Sequence, residues 1–227
     1  MIGVMGAMIE EIEPLLRRMQ NVRSERIGNN DYHTGRYADR DVVVAYSRIG
    51  KVNAAVTATM MIERFKIDRL LFSGVAGAIS PELKVGDLIC AEKLVQHDVD
   101  ITAFGHKPGF IPETGDFFSA DAKLNDLAKN VAVRRSVKLG SGVIATGDQF
   151  IANPETKERI RMTFGADAVE MEGASVACVC DTFGIPFFVL RAISDAADMD
   201  AGFSFDEFLK SSAEISAEFV LEMVSAL

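Results

Sequence analysis

Cysteine and histidine are scarce in this sequence, basic residues never cluster, and no apolar run is long. The three cysteines, Cys90, Cys178 and Cys180, are odd in number and show no CxxC spacing, which points to reduced thiols packed as small apolar side chains. On a helix Cys178 and Cys180 would point to different faces. His33, His97 and His106 have no ligand spacing, so no metal site is expected. Acids outnumber bases 33 to 24 with no dense basic run, which argues against a nucleic-acid partner. No uninterrupted apolar stretch approaches the ~20 residues of a membrane span. The N-terminal "MIGVMGAMIEE" turns acidic after a few apolar residues, unlike a secretory signal. A soluble, cytoplasmic protein is expected.

What remains is an ordinary globular composition, 48% hydrophobic and 25% charged over 227 residues, enough for one domain with a sizeable core. Hydrophobic periodicity predicts a strand at 1–6, a helix over 9–20, strands at 32–37 and 42–46 joined by the turn "ADRD", and a helix ending near 65. The buried strand "RLLFSG" follows and is read as ending in a small-residue loop, "SGVAGAI". The stretch 87–118 is read as strand and long loop, of the kind that carries function. Helices near 121–133, 154–163, 173–183 and 205–227 alternate with strands near 139–145, "ADAVEM" and "PFFVLRAIS". Alternation of this kind implies an α/β sheet covered on both faces, with the hairpin supplying antiparallel strands. No repeat or linker interrupts it, so 1–227 reads as a single domain.

In such sheets ligands bind at the carboxyl ends of strands. Those ends carry Glu10 and Glu11, "SGVAG", Glu170 and Glu172, and "RAISDAAD". Glu10 and Glu11 are also what a helix dipole favours in a first turn, and Ser194 and Asp195 would serve as an N-cap and a turn acid. Glu170 and Glu172 are harder to explain away. Alternation puts both on one strand face, where two close carboxylates raise each other's pKa unless a cation or a ligand's hydroxyls compensate. Arg191, inside the apolar "FFVLRAI", also needs a partner, because an unpaired buried charge is costly. A carboxylate-rich pocket with one internal arginine satisfies all of these.

The segments "GAMIEE", "SRIGKVNAA", "SGVAGAI", "HDVDITAFG", "ATGDQFI", "VEMEGASVA", "RAISDAAD" and "FSFDEF", in this order and spanning nearly the whole chain, closely resemble bacterial 5′-methylthioadenosine/S-adenosylhomocysteine nucleosidases of the purine nucleoside phosphorylase-like superfamily. The resemblance implies a single domain with a mixed twisted β-sheet flanked by helices, an αβα sandwich, and hydrolysis of the adenine–ribose bond without cofactor or metal. It makes Asp195 the general acid that protonates adenine N7, oriented by Ser194, and Glu11 the residue that polarises the attacking water. Glu172 and the Met171 backbone would hold the ribose, with Glu170 beside them and Arg191 steadying the water or an adjacent carboxylate. Adenine would stack on Phe150 beside the Ile151 backbone. Val75, Ala76 and Gly77 would border the pocket, and Ile49 and Phe205 would line its ribose and thioether side. Ile101, Phe104 and Pro112 would come from the second subunit of a homodimer.

Three departures from the phosphorolytic branch favour water over phosphate as the nucleophile. Val75 replaces a serine that many relatives carry, Phe72 stands where the phosphorylases have an arginine, and Glu11 would repel a phosphate dianion. A futalosine or aminodeoxyfutalosine hydrolase would share the carboxylates and hold a bulkier, more polar 5′ group. A binding protein that kept the pocket and lost catalysis is the third possibility.

Overall fold

A strand buried along its whole length must be covered on both faces, and β1 (Ile2–Gly6) is buried at all five positions. The computed structural model describes residues 1–198 and 200–227, and at 203 the backbone only. After β1 come α1 (Ile9–Leu16), β2 (Gln20–Ile27), β3 (Asn30–Tyr37), β4 (Arg40–Tyr46), α2 (Lys51–Phe65), β5 (Arg69–Ala78) and β6 (Leu88–Gln96). Then follow β7 (Phe118–Ser119), α3 (Ala122–Arg135), β8 (Leu139–Thr146), α4 (Pro154–Phe164), β9 (Ala168–Glu170), α5 (Gly173–Phe183), β10 (Phe187–Asp195) and α6 (Ala201–Ala226). The α/β architecture anticipated from periodicity is the one observed.

The strands form one mixed sheet in the order β10-β6-β8-β9-β5-β1-β4-β3-β2. β10 also pairs with β5, so β5, β10, β6, β8 and β9 close on themselves. β1 runs parallel to β4 and β5, and β5 parallel to β10, which brings their carboxyl ends out side by side. One face is covered by α1, α3 and α6, through Ile12, Leu15, Leu124, Val131, Phe219 and Val220. The other is covered by α2 and α5, through Ala54, Ala58, Met61, Val176 and Ala177. α4 closes over the ends of β8 and β9 with Ile160 and Phe164. At the surface Glu214, Glu218 and Glu222 of α6 pair with Arg17, Arg18 and Arg135, tying α1 and α3 to α6. Among the described residues no helix is long and apolar enough to cross a membrane. All three cysteines are unpaired; Cys90 and Cys180 are buried and Cys178 half-buried.

Four expectations are corrected. "SGVAGAI" is largely strand, because β5 continues through Ala78 and its glycines give room to neighbouring side chains. The first helix stops at Leu16, because β2 begins at Gln20. β2 itself was not anticipated: it is an edge strand, exposed at seven of its eight positions, so it lacks the buried alternation that betrays a strand. The last helix begins at Ala201, four residues before 205.

Candidate active site

The carboxyl ends of β1, β5, β9 and β10 open into one cavity of about 460 Å³. Its wall carries Glu11, Glu172 and Asp195, all nearly inaccessible to solvent. Each is placed by a different element, and each carboxyl group has different partners.

Glu11 lies in the first turn of α1, where helical N–H groups have no internal acceptor. Its Oε2 accepts the N–H of Ala7 at 2.5 Å and of Met8 at 3.0 Å, and its Oε1 accepts the N–H of Val75 at 3.1 Å. A carboxylate has about four acceptor positions, so one remains, on Oε1. Burial pushes its pKa up, and Arg191 with the three N–H groups opposes that without cancelling it. Glu10, beside it, is partly exposed and outside the cavity wall.

Asp195 ends β10. Its Oδ1 accepts the N–H of Ala197 at 2.8 Å, and the Ser194 hydroxyl lies 2.9 Å from its Oδ2. Burial raises its pKa above the usual carboxylate range, only partly offset by these two donors. A carboxyl whose pKa is pushed up by burial is what a general acid near neutral pH requires.

Glu172 caps the start of α5 and accepts the N–H of Gly50 on Oε1 at 2.8 Å; among the described residues its Oε2 has no protein partner. Burial and the neighbouring Glu170 push its pKa up to about 8, with Arg191 opposing. Free hydroxyl donors would find an open acceptor here.

Glu170 takes a different part. β9 ends there, so Glu170 and Glu172 do not share a strand face, contrary to the alternation argument. The Glu170 carboxylate turns inward: Oε2 accepts from Arg191 Nη2 at 2.6 Å and from the N–H groups of Glu172 and Gly173 at 3.1 and 2.7 Å, and Oε1 accepts from the Thr146 hydroxyl. Held inward by four donors, Glu170 is a positioning group although it borders the cavity. Arg191 is 1% exposed and lies outside the cavity lining, which corrects its reading as a ligand contact. It pairs with Glu170 and stacks over the Phe72 ring at 4.1 Å. An adjacent carboxylate was one of the two roles expected of it.

Phe150 and Phe205 meet edge to face, centroids 5.7 Å apart, at the apolar end of the cavity, with Ile151 and Ile49 beside them. Val75, Ala76, Gly77, Met171 and Ser194 also border it, as expected. Ile101, Phe104 and Pro112 do not contribute to the cavity of their own chain. Met8, Gln149 and Asp206 line it unanticipated. All three fall inside segments that carried the resemblance, "GAMIEE", "GDQFI" and "FSFDEF", but no charge or aromatic pattern singled them out. Among the described lining residues there is no lysine, arginine or histidine, so the site offers carboxylates, apolar walls and aromatic faces, and no counter-charge for a phosphate.

The phosphorylase superfamily pattern matches residues 1–225. The aminodeoxyfutalosine nucleosidase of Campylobacter jejuni is 52% identical over 226 residues, covering 100% of this chain and 99% of that protein. The 5′-methylthioadenosine/S-adenosylhomocysteine nucleosidase of Actinobacillus succinogenes is 41% identical over 227 residues, covering 100% and 99%. Among solved structures, the Helicobacter pylori 5′-methylthioadenosine/S-adenosylhomocysteine nucleosidase with butyl-thio-DADMe-Immucillin-A superposes with a TM-score of 0.98 at 50% identity, covering 100% of this chain and 98% of that one.

Proposed function

Because the chain belongs to the phosphorylase superfamily, within its purine nucleosidases that hydrolyse the N-glycosidic bond, we propose that it uses water to release adenine from 5′-substituted adenosines. The substrates are 5′-methylthioadenosine and S-adenosylhomocysteine, giving 5-methylthioribose or S-ribosylhomocysteine, with aminodeoxyfutalosine taken by the same carboxylates. The observation that carries the reading is the convergence of Glu11, Glu172 and Asp195 on one cavity whose described lining residues include no cation.

Adenine leaves poorly as an anion, so the purine must gain a proton as the C1′–N9 bond breaks. Asp195, whose pKa burial pushes up, supplies it to N7, and the Ser194 hydroxyl and the Ala197 N–H hold the carboxyl in place. The ribose passes through an oxocarbenium-like state, as in glycoside hydrolysis. Ribose hydroxyls donating to the open Oε2 of Glu172 make that carboxylate a partner for the developing positive charge. The remaining acceptor position on Glu11 Oε1 holds the water that attacks C1′ and takes the proton that this water loses. Phe150 offers adenine an aromatic face half open to solvent. A silent binding protein has no use for three buried acids of raised pKa around an otherwise apolar cavity.

Aminodeoxyfutalosine is included because the more similar of the two curated relatives carries that name. The exposed Ile49 also leaves the 5′ side of the cavity open within one chain. That side is completed, in this reading, by a second copy. Val52 and Val56, four residues apart on α2, are 73% and 60% exposed, Ile49 just before the helix is 53% exposed and Phe104 is 81% exposed; such an apolar surface suits a homodimer contact. Turnover of a panel of adenosine, 5′-methylthioadenosine, S-adenosylhomocysteine and aminodeoxyfutalosine tests the proposal. Release of adenine from the 5′-substituted members supports it, and no turnover of any member overturns it.

A further inference from the structure

We infer that Asp98 is a positioning residue for nucleoside binding: through Lys51 and the backbone of Asp148 it holds the first turn of α2 and the loop carrying Phe150 as one unit, and so keeps the Gly50 N–H on Glu172. The inference rests on reading Glu172 as the ribose acceptor and Phe150 as the base platform.

The contacts form a closed ring. Lys51 Nζ donates to Asp98 Oδ1 at 2.6 Å and to Gln96 Oε1 at 3.1 Å. Asp98 Oδ2 accepts the N–H of Asp148 at 2.9 Å, and Asp148 Oδ1 accepts the N–H of Lys51 at 2.8 Å. The next N–H along, that of Gly50, is the one donated to Glu172 Oε1. The free N–H groups at the start of α2 are thus divided between an acid of the site and an acid of the base-binding loop. Gly50 has φ of +99°, and a Cβ there would lie 3.0 Å from Asp148 Oδ1, so the turn that aims these donors tolerates no side chain without strain.

The ion pair at the centre of this ring is sheltered. The Lys51 and Asp98 side chains are 16% and 17% exposed, against 34% to 61% for the arginines that reach Glu214 on α6. Burial alone would push the Asp98 carboxyl up, but Lys51 and the Asp148 N–H hold it below the usual carboxylate range. Charge-assisted hydrogen bonds of this kind are the stronger ones. None of Lys51, Asp98 or Asp148 belongs to the hydrophobic clusters of the core. Their joint effect falls instead on the rim of the cavity, two residues from Phe150 and one from Gly50.

The test compares Asp98→Asn with Lys51→Arg and Glu172→Gln, using 5′-methylthioadenosine and reading kcat, KM and the pH dependence of KM, with thermal unfolding alongside. Asp98→Asn is expected to raise KM about tenfold with a smaller change in kcat, the size of one lost charge-assisted hydrogen bond. Lys51→Arg, which keeps the cation, is expected to stay close to the unaltered protein. A merely structural role would not move the pH profile, whereas this one does. Glu172 is faced by Glu170 from β9, Arg191 from β10, Glu11 from α1 and the Gly50 N–H from α2. Loss of the Gly50 donor removes a group that favours the carboxylate, so the pH at which KM improves shifts upward in Asp98→Asn. An unshifted profile with KM within about twofold of the unaltered protein overturns the inference. A normal KM in Glu172→Gln overturns instead the ribose reading on which it rests.

Discussion

Gly77 on β5 stands opposite Asp195 on β10, and a Cβ at Gly77 would lie 2.7 Å from Asp195 Oδ1. The Asp195 carboxyl therefore occupies space that only glycine leaves free. Gly77→Ala is expected to push the carboxyl off its hydrogen bond from Ala197 and lower kcat roughly 10²-fold, the cost of a misplacement of about 1 Å. Steady-state kinetics on a variant with a normal unfolding transition checks this; an unchanged kcat would mean that Asp195 need not sit where it does.

Asp195→Asn keeps the shape and removes the transferable proton. A loss of about 10²–10⁴-fold in kcat with KM near its original value is expected. Glu11→Gln should likewise lose rate more than affinity, because the proposed role of Glu11 is to hold the attacking water. A defect confined to KM in either variant would reassign that residue to binding.

Glu170→Gln leaves the Arg191 guanidinium buried without its counter-charge, the pair being only 1% and 3% exposed. Breaking a buried pair on one side costs about 3–5 kcal/mol, read from the denaturant midpoint at unchanged slope. A midpoint shift no larger than that of a surface substitution would show that the remaining partners of Arg191 suffice.

The pKa of Glu172, raised to about 8 from 4.5, has two consequences of definite sign. In the proposed mechanism ribose hydroxyls donate to the carboxylate form, so KM for nucleoside should fall as pH rises through about 8. The folded protein also holds this proton where the unfolded chain has lost it. The stability this contributes is complete below pH 4.5 and is lost as pH rises to about 8. Thermal unfolding of Glu172→Gln against the unaltered protein isolates the term: their difference should move in the variant's favour across that window, and a constant difference would contradict it.

Phe104→Ala should weaken thioether substrates more than adenosine, whose 5′-hydroxyl gains nothing from an apolar lid, since each CH₂ kept from water contributes about 0.8 kcal/mol. Sedimentation supplies the companion observation, and a fully active monomer would refute a pocket completed in trans.

The acids of the site were legible because strand ends in an α/β sheet are where polar groups can be presented, and Glu11, Glu172 and Asp195 stand at such ends. What was not legible is how neighbouring strands use each other's space. Gly74 and Gly77 look like turn residues in "SGVAG", yet both lie within a continuous strand, one beside Arg191 and Glu11 and the other beside Asp195. Glycine marks close approach as well as turns. Nor could alternation separate Glu170 from Glu172, because the strand ends between them and the first carboxylate turns back to Arg191. The ring through Lys51, Asp98 and Asp148 joins residues 47 and 50 positions apart in the chain, and nothing local announces it.

The most direct measurement is turnover of 5′-methylthioadenosine in ¹⁸O-labelled water with phosphate present, the ribosyl product being weighed by mass spectrometry. The account predicts free 5-methylthioribose carrying one ¹⁸O, with adenine unlabelled and the rate indifferent to phosphate. A 5-methylthioribose 1-phosphate without label would contradict it, and with it the roles assigned to Glu11, Phe72 and Val75.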